Sequence, residues 1–202
     1  MEYSLEDGEK LIKAARYSIE LFLKSPRFES RIIENHIKQY AEHRGVYILL
    51  YHYPTITMRG SSGFSRPVSQ LNKLVVEAAI AAATEDPKHV PISEPELDEC
   101  VIELYILSDP ERVEKRDNRK ITKLIKAGKD GVMIQYGFKS GVILPTIAAR
   151  NGWKQEEMLD NACIEAGLPK DSWKRKEIEL HRFTAKVFRE SRPHGMVEEI
   201  VL

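Results

Sequence analysis

Eight β-forming residues, Val46 to Tyr53 (Val-Tyr-Ile-Leu-Leu-Tyr-His-Tyr), lead through a joint with two glycines into an alanine-rich run from Pro67 to Thr84. In that run Leu71, Leu74, Val75, Ala78 and Ala82 fall on one helical face. A buried strand and a helix suited to packing flat on a sheet are the strongest demands this chain places on any fold. The joint itself reads Thr57-Met58-Arg59-Gly60-Ser61-Ser62-Gly63-Phe64-Ser65-Arg66-Pro67. Glycine accepts positive φ and lets backbone come close to a ligand, and Pro67 suits the first turn of a helix. Arg59, Arg66 and the hydroxyls of Ser61, Ser62 and Ser65 then make the joint readable as an anion cradle. A strand-to-helix turn that needs glycine only for its geometry accounts for the same residues.

Other elements follow from pattern. Ser4 and Asp7 have capping-box spacing, and Leu11, Ile12, Ala15, Ile19, Phe22 and Leu23 recur at helical intervals until Ser25-Pro26. Ile32, Ile33, Ile37, Tyr40 and Ala41 predict a weaker helix closed near Gly45 by a left-handed cap. Prolines between Asp86 and Glu96 imply an extended loop, and Cys100 to Leu107 reads as a buried strand. Residues 111 to 127 read as a mostly solvated helix with a narrow stripe of Ile121, Leu124 and Ile125. Val132 to Tyr136 and Val142 to Leu144 flank Gly137-Phe138-Lys139-Ser140-Gly141 as a hairpin. Leu159, Ala162, Cys163 and Ala166 share a helix face ended by Gly167 and Pro169, and a final strand falls within Ile178 to Phe188. Helices alternating with hairpin-like strands predict an α+β fold, with mostly antiparallel or mixed sheet packed by helices.

Charge and cysteine usage narrow the function. With 31 Lys+Arg against 31 Asp+Glu, the chain has no overall field toward nucleic acid, so such binding would need a local patch. The cluster Lys115, Arg116, Arg119, Lys120, Lys123, Lys126 and Lys129 is diluted by acids and carries no stacking aromatics, which fits a solvated helix face and makes nucleic acid a poor partner. The acidic start and the lack of a long apolar run speak against secretion and membrane insertion, and two thiols without metal spacing fit the cytoplasm. Both cysteines, Cys100 and Cys163, sit among apolar residues and read as core. The histidines show no metal-ligand spacing, so no metal or cofactor is expected. Gly60-x-x-Gly63 lacks the Lys-Ser/Thr of a phosphate loop and the third glycine of a dinucleotide loop. Asp86, Glu103 and Asp130 are the carboxylates available for acid-base work or for pairing with Arg59.

Arg59-Gly60-Ser61-Ser62-Gly63 lines up with the Arg-Gly-Cys-Ile-Gly core of the AMMECR family, the domain named from the Alport syndrome, mental retardation, midface hypoplasia and elliptocytosis chromosomal region. Asp86-Pro87-Lys88-His89-Val90-Pro91 resembles its Asp-Pro-Arg-Phe-Pro-Pro element, and Gly128-Lys129-Asp130-Gly131 its Gly-Lys-Asp-Gly turn. Leu144-Pro145, Gly152-Trp153, Ala166-Gly167-Leu168-Pro169 and Trp173 continue the likeness, which covers roughly Val46 to Arg189. The resemblance implies one domain of two packed lobes over 1–202. It also implies a site at Arg59, Gly60, Ser61, Ser62 and Gly63, with Asp86, His89, Asp130 and Trp153 as weaker neighbours. Ser61 replaces the family cysteine, so thiol chemistry at that position is closed to this chain. Family members often occur with radical-SAM and Memo-like proteins. That association implies a small anionic metabolite as ligand, or such a protein as partner. A non-catalytic module that docks a protein or nucleic acid is the competing expectation.

Overall fold

The computed structural model describes residues 2–114 and 118–202. The chain forms two compact units, Met1–Leu107 with Lys186–Val201, and Ser108–Ala185 with Leu202. Among the described residues no helix is long and apolar enough to cross a membrane.

In the first unit α1 (Leu5–Lys24), α2 (Arg31–His36), α3 (Leu71–Thr84) and the short α4 (Glu94–Leu97) accompany a five-stranded sheet. Its strands are β1 (Val46–His52), β2 (Thr57–Phe64), β3 (Cys100–Leu107), β8 (Ala185–Glu190) and β9 (Val197–Ile200), in the order β2-β1-β3-β8-β9. Side chains alternate across each strand, so Val46, Ile48 and Leu50 of β1 and Ile102, Leu104 and Ile106 of β3 share the helix-covered face. They meet Leu11, Ile12 and Ile19 of α1 and Leu74, Val75 and Ala78 of α3 in one core. Every residue of β3 is buried, as befits the middle strand. Ser4 and Asp7 form the capping box of α1 as the spacing predicts.

One ionic group is set inside this unit. Arg16 of α1 holds Glu190 of β8 through two hydrogen bonds, Nε to Oε1 at 2.7 Å and Nη2 to Oε2. Its Nη2 also donates to the Cys100 carbonyl at 2.7 Å and Nη1 to that of Leu97 at 3.3 Å, while Glu190 Oε2 accepts the Ile102 N–H at 2.9 Å. Helix, central strand and β8 are tied at one buried point.

The second unit has a four-stranded antiparallel sheet in the order β4-β7-β5-β6. Its strands are β4 (Glu111–Arg112), β5 (Gly131–Tyr136), β6 (Lys139–Ile143) and β7 (Glu179–Phe183), joined by α5 (Asn118–Leu124), α6 (Pro145–Arg150) and α7 (Gln155–Glu165). Val132, Ile134, Leu159, Ala162, Cys163 and Trp173 form its core. The end of α7 follows expectation: Gly167 takes φ +65°, and Leu168 N–H reaches the Cys163 carbonyl at 2.9 Å. The fold is α+β.

Several expectations need correction. The joint is not a loop: Thr57–Phe64 is β2, an edge strand antiparallel to β1, and α3 begins at Leu71 instead of Pro67. The weaker helix stops at His36, and Gly45 is no left-handed cap. Residues 40 to 42 run on to close α3, whose first N–H groups at Leu71 and Asn72 donate to the carbonyls of Glu42 (2.8 Å) and Tyr40 (2.9 Å). The segment 111 to 127 is a two-residue strand and a shorter helix, and Ile121 and Ile125 are fully buried. The hairpin turn contracts to Gly137-Phe138, with Tyr136 opposite Lys139. Ile178 to Phe188 holds parts of two strands, β7 in the second sheet and β8 in the first. Of the basic cluster, Lys115 and Arg116 lie outside the described residues.

Candidate functional site

Gly60 and Gly63 keep ordinary β angles, so the reason for glycine is contact and not φ. A Cβ on Gly60 would fall 2.2 Å from the Ala82 carbonyl oxygen of α3, and one on Gly63 would fall 2.3 Å from that of Val46. Gly60 lets α3 lie directly on the edge strand and Gly63 makes room for the backbone and the Tyr47 ring of β1, packing roles that no periodicity reveals.

Arg59 is buried at 8% exposure and forks onto Glu96 of α4, Nε to Oε1 at 2.5 Å and Nη2 to Oε2 at 3.1 Å. The pairing, ahead of an opposing burial effect, holds the Glu96 carboxyl below the usual carboxylate range. Asp86, Glu103 and Asp130, the partners the sequence suggested for Arg59, are not the ones it grips in this fork. Glu96 escaped the sequence reading, although Ser93-x-x-Glu96 has the spacing of a capping box, which the structure forms. His52 Nε2 stands 3.5 Å from Glu96 Oε1, and its Nδ1 lies 4.0 Å from Cys100 Sγ. Burial pushes the Cys100 thiol up to about 11, which leaves it a poor nucleophile despite its histidine neighbour.

Asp86 gathers two more of the sequence-selected residues, Ser61 and His89, together with the Lys88 N–H. Its Oδ2 accepts the Ser61 N–H at 2.7 Å and the Ser61 hydroxyl at 3.1 Å, its Oδ1 accepts the Lys88 N–H at 2.8 Å, and His89 Nδ1 lies 3.3 Å from Oδ2. Serine hydroxyl and imidazole both face the same Asp86 oxygen, so each is directed to the carboxylate instead of forming a serine–histidine pair. Ser62 and Gly63 continue the strand, half-buried. In the second unit Asp130 accepts the Lys126 N–H at 2.7 Å and closes the Gly-Lys-Asp-Gly turn, while Trp153 is half-buried against that unit's core. Among the described residues no group of three or more His, Cys, Asp and Glu is placed to hold a metal ion.

The Asp86 bonds carry a pH signature. Burial opposes its charge, but the N–H groups of Lys88 and Ser61 outweigh this and depress its pKa. A depressed carboxylate stabilises the fold above its unfolded value and loses that stabilisation as pH falls through the folded one. Asp86→Asn is therefore expected to cost about 1–3 kcal/mol at neutral pH, the scale of hydrogen bonds to a charged group. The gap to wild type should shrink as pH drops below about 4, near the unfolded aspartate value. Urea titrations across that range test it, and a gap independent of pH would refute the assignment.

Comparison with known proteins places the geometry. The AMMECR1 family profile matches residues 12–188. Protein MJ0810 of Methanocaldococcus jannaschii is 37% identical over 97% of this chain and 96% of its own length, and Protein MK0488 of Methanopyrus kandleri 38% identical over 97% and 94%. The crystal structure of the uncharacterized protein PH0010 from Pyrococcus horikoshii aligns with a TM-score of 0.90 and 34% identity, covering 96% of this chain and 97% of that one. With profile, relatives and structure agreeing along almost its whole length, the chain belongs to the AMMECR1 family.

Proposed function

We propose that this AMMECR1-family chain is a non-catalytic binding module that docks a protein partner in the cytoplasm. The observation that carries the reading is the Arg59–Glu96 fork: the cation best suited to a ligand or a developing charge is already matched by a carboxylate of the same unit. Ser61 and Cys100 support it, one engaged by Asp86 and the other buried with a raised pKa. A radical-SAM or Memo-like protein, the association implied by the family, is the first partner to test by co-purification.

A second reading keeps the small anionic ligand at Arg59 to Gly63, with Asp86 and His89 beside it. It is favoured by the exposure of Glu96, whose side chain is 27% accessible and comes from a four-residue helix. An incoming phosphate or carboxylate could take its place on a guanidinium already stripped of water. Thermal-shift titrations with sulfate, phosphate and small carboxylates on wild type and Arg59→Ala decide between the two. The module reading expects Arg59→Ala to melt lower than wild type, with no anion-dependent rise in either protein. A saturable rise in wild type that Arg59→Ala lacks would replace it with the ligand reading.

A further inference from the structure

We infer that the groove between α1 and α2 binds an acidic peptide segment that inserts a bulky apolar side chain. The inference rests on the binding-module reading and supplies its surface. The groove encloses about 330 Å³. Ile33, Ile37 and Ala14 form its buried floor, and Tyr17, half exposed at 52%, stands beside it. Its positive charge comes from Lys10 and Lys13, His36 adds a polar edge, and no carboxylate is among the lining residues.

Two features make the polar lining available. Among the described residues Lys10 and Lys13 pair with Glu6 (2.6 Å) and Glu9 (3.9 Å) one turn earlier on the same helix, and the lysine side chains stay 47% and 77% exposed. Exposed pairs of this kind are weak and exchange readily for a partner's carboxylates. His36 Nδ1 donates to the Ile32 carbonyl oxygen at 2.6 Å, which leaves Nε2 as an acceptor for a backbone N–H of the segment, while the lysines meet its carboxylates. An apolar floor between two helices edged by cations matches an amphipathic segment laid into a groove, with apolar anchors below and acids at the sides. A concave floor favours an inserted side chain over a flat anionic lipid surface, and zero net charge gives no field to draw the chain to a membrane.

The probe is a short synthetic peptide with leucine and phenylalanine at helical spacing, flanked by glutamates, together with its lysine-for-glutamate counterpart. Phosphatidylserine vesicles serve as the third arm. The acidic peptide should bind wild type at least about tenfold tighter than the basic one, as for complementary charge pairs at an interface. Chemical-shift changes should centre on Tyr17, Ile33 and His36. In Lys10→Glu/Lys13→Glu, whose changes lie on the exposed face of α1, the preference should reverse, and Tyr17→Ala should weaken both peptides. Equal binding of the two peptides, a preference unchanged by the double variant, or binding to vesicles without binding to peptide overturns the inference. A partner protein held equally by wild type and the double variant would overturn the groove and leave the module reading standing. An anion response through Arg59 would overturn the module reading by a separate measurement.

Discussion

Arg16→Met is expected to lower the thermal midpoint by roughly 10 °C, because stranding one member of a buried ion pair costs about 3–5 kcal/mol and each kcal/mol moves a domain of this size by about 2–4 °C. The cause is specific. Without the guanidinium, Glu190 stays buried at 3% exposure with the Ile102 N–H as one remaining donor, and the carbonyls of Leu97 and Cys100 lose theirs. Adding Glu190→Gln removes the stranded charge while keeping an acceptor for Ile102, so the double variant should recover a good part of the loss. Arg16→Lys should recover little, since one ammonium cannot serve the four acceptors the fork reaches. Chemical denaturation of all three variants measures this, and a double variant no more stable than Arg16→Met would show that the stranded charge is not the cause.

The second large effect is at Gly60. Its backbone angles suit any residue, yet a single methyl there meets the Ala82 carbonyl oxygen at 2.2 Å, and neither backbone yields cheaply. Gly60→Ala should cost about 3 kcal/mol, the upper range for overpacking, and Gly60→Val more. Gly152 gives the contrast: it has φ +64° and open space around its Cβ position, so Gly152→Ala should cost only about 1 kcal/mol of left-handed strain. Equal losses at the two glycines would mean that Gly60 is not held by the approach of α3.

The same comparison shows why part of this molecule was readable and part was not. The cap at Ser4 and Asp7, the buried strand Cys100–Leu107 and the Gly167 cap of α7 are local events, settled by residues within a few positions of each other. β2 was not readable, because glycine and serine argue against a strand and only the sheet edge under α3 makes Thr57–Phe64 one. Likewise the division of Ile178 to Phe188 between β7 and β8 depends on two sheets that the sequence does not announce.

At the candidate site the split is sharper. Sequence picked Arg59, Ser61, Asp86 and His89, and the fold joins the last three around one carboxylate. It missed Glu96 and His52, and with them the pairing that decides whether Arg59 is offered to a ligand.

The sequence by itself determined the caps at Ser4–Asp7 and Gly167, the buried strands that begin at Val46 and Cys100, the α+β class and, through an ordered series of short motifs, the family. Only the tertiary structure decided that the glycine segment is an edge strand, that its arginine is answered by Glu96 thirty-seven positions on, and that α1 and α2 leave a basic-edged groove. The physical reason is range. Caps and periodicity act across a turn or two of chain, whereas close backbone approach and charge pairing depend on which distant segments the core brings together.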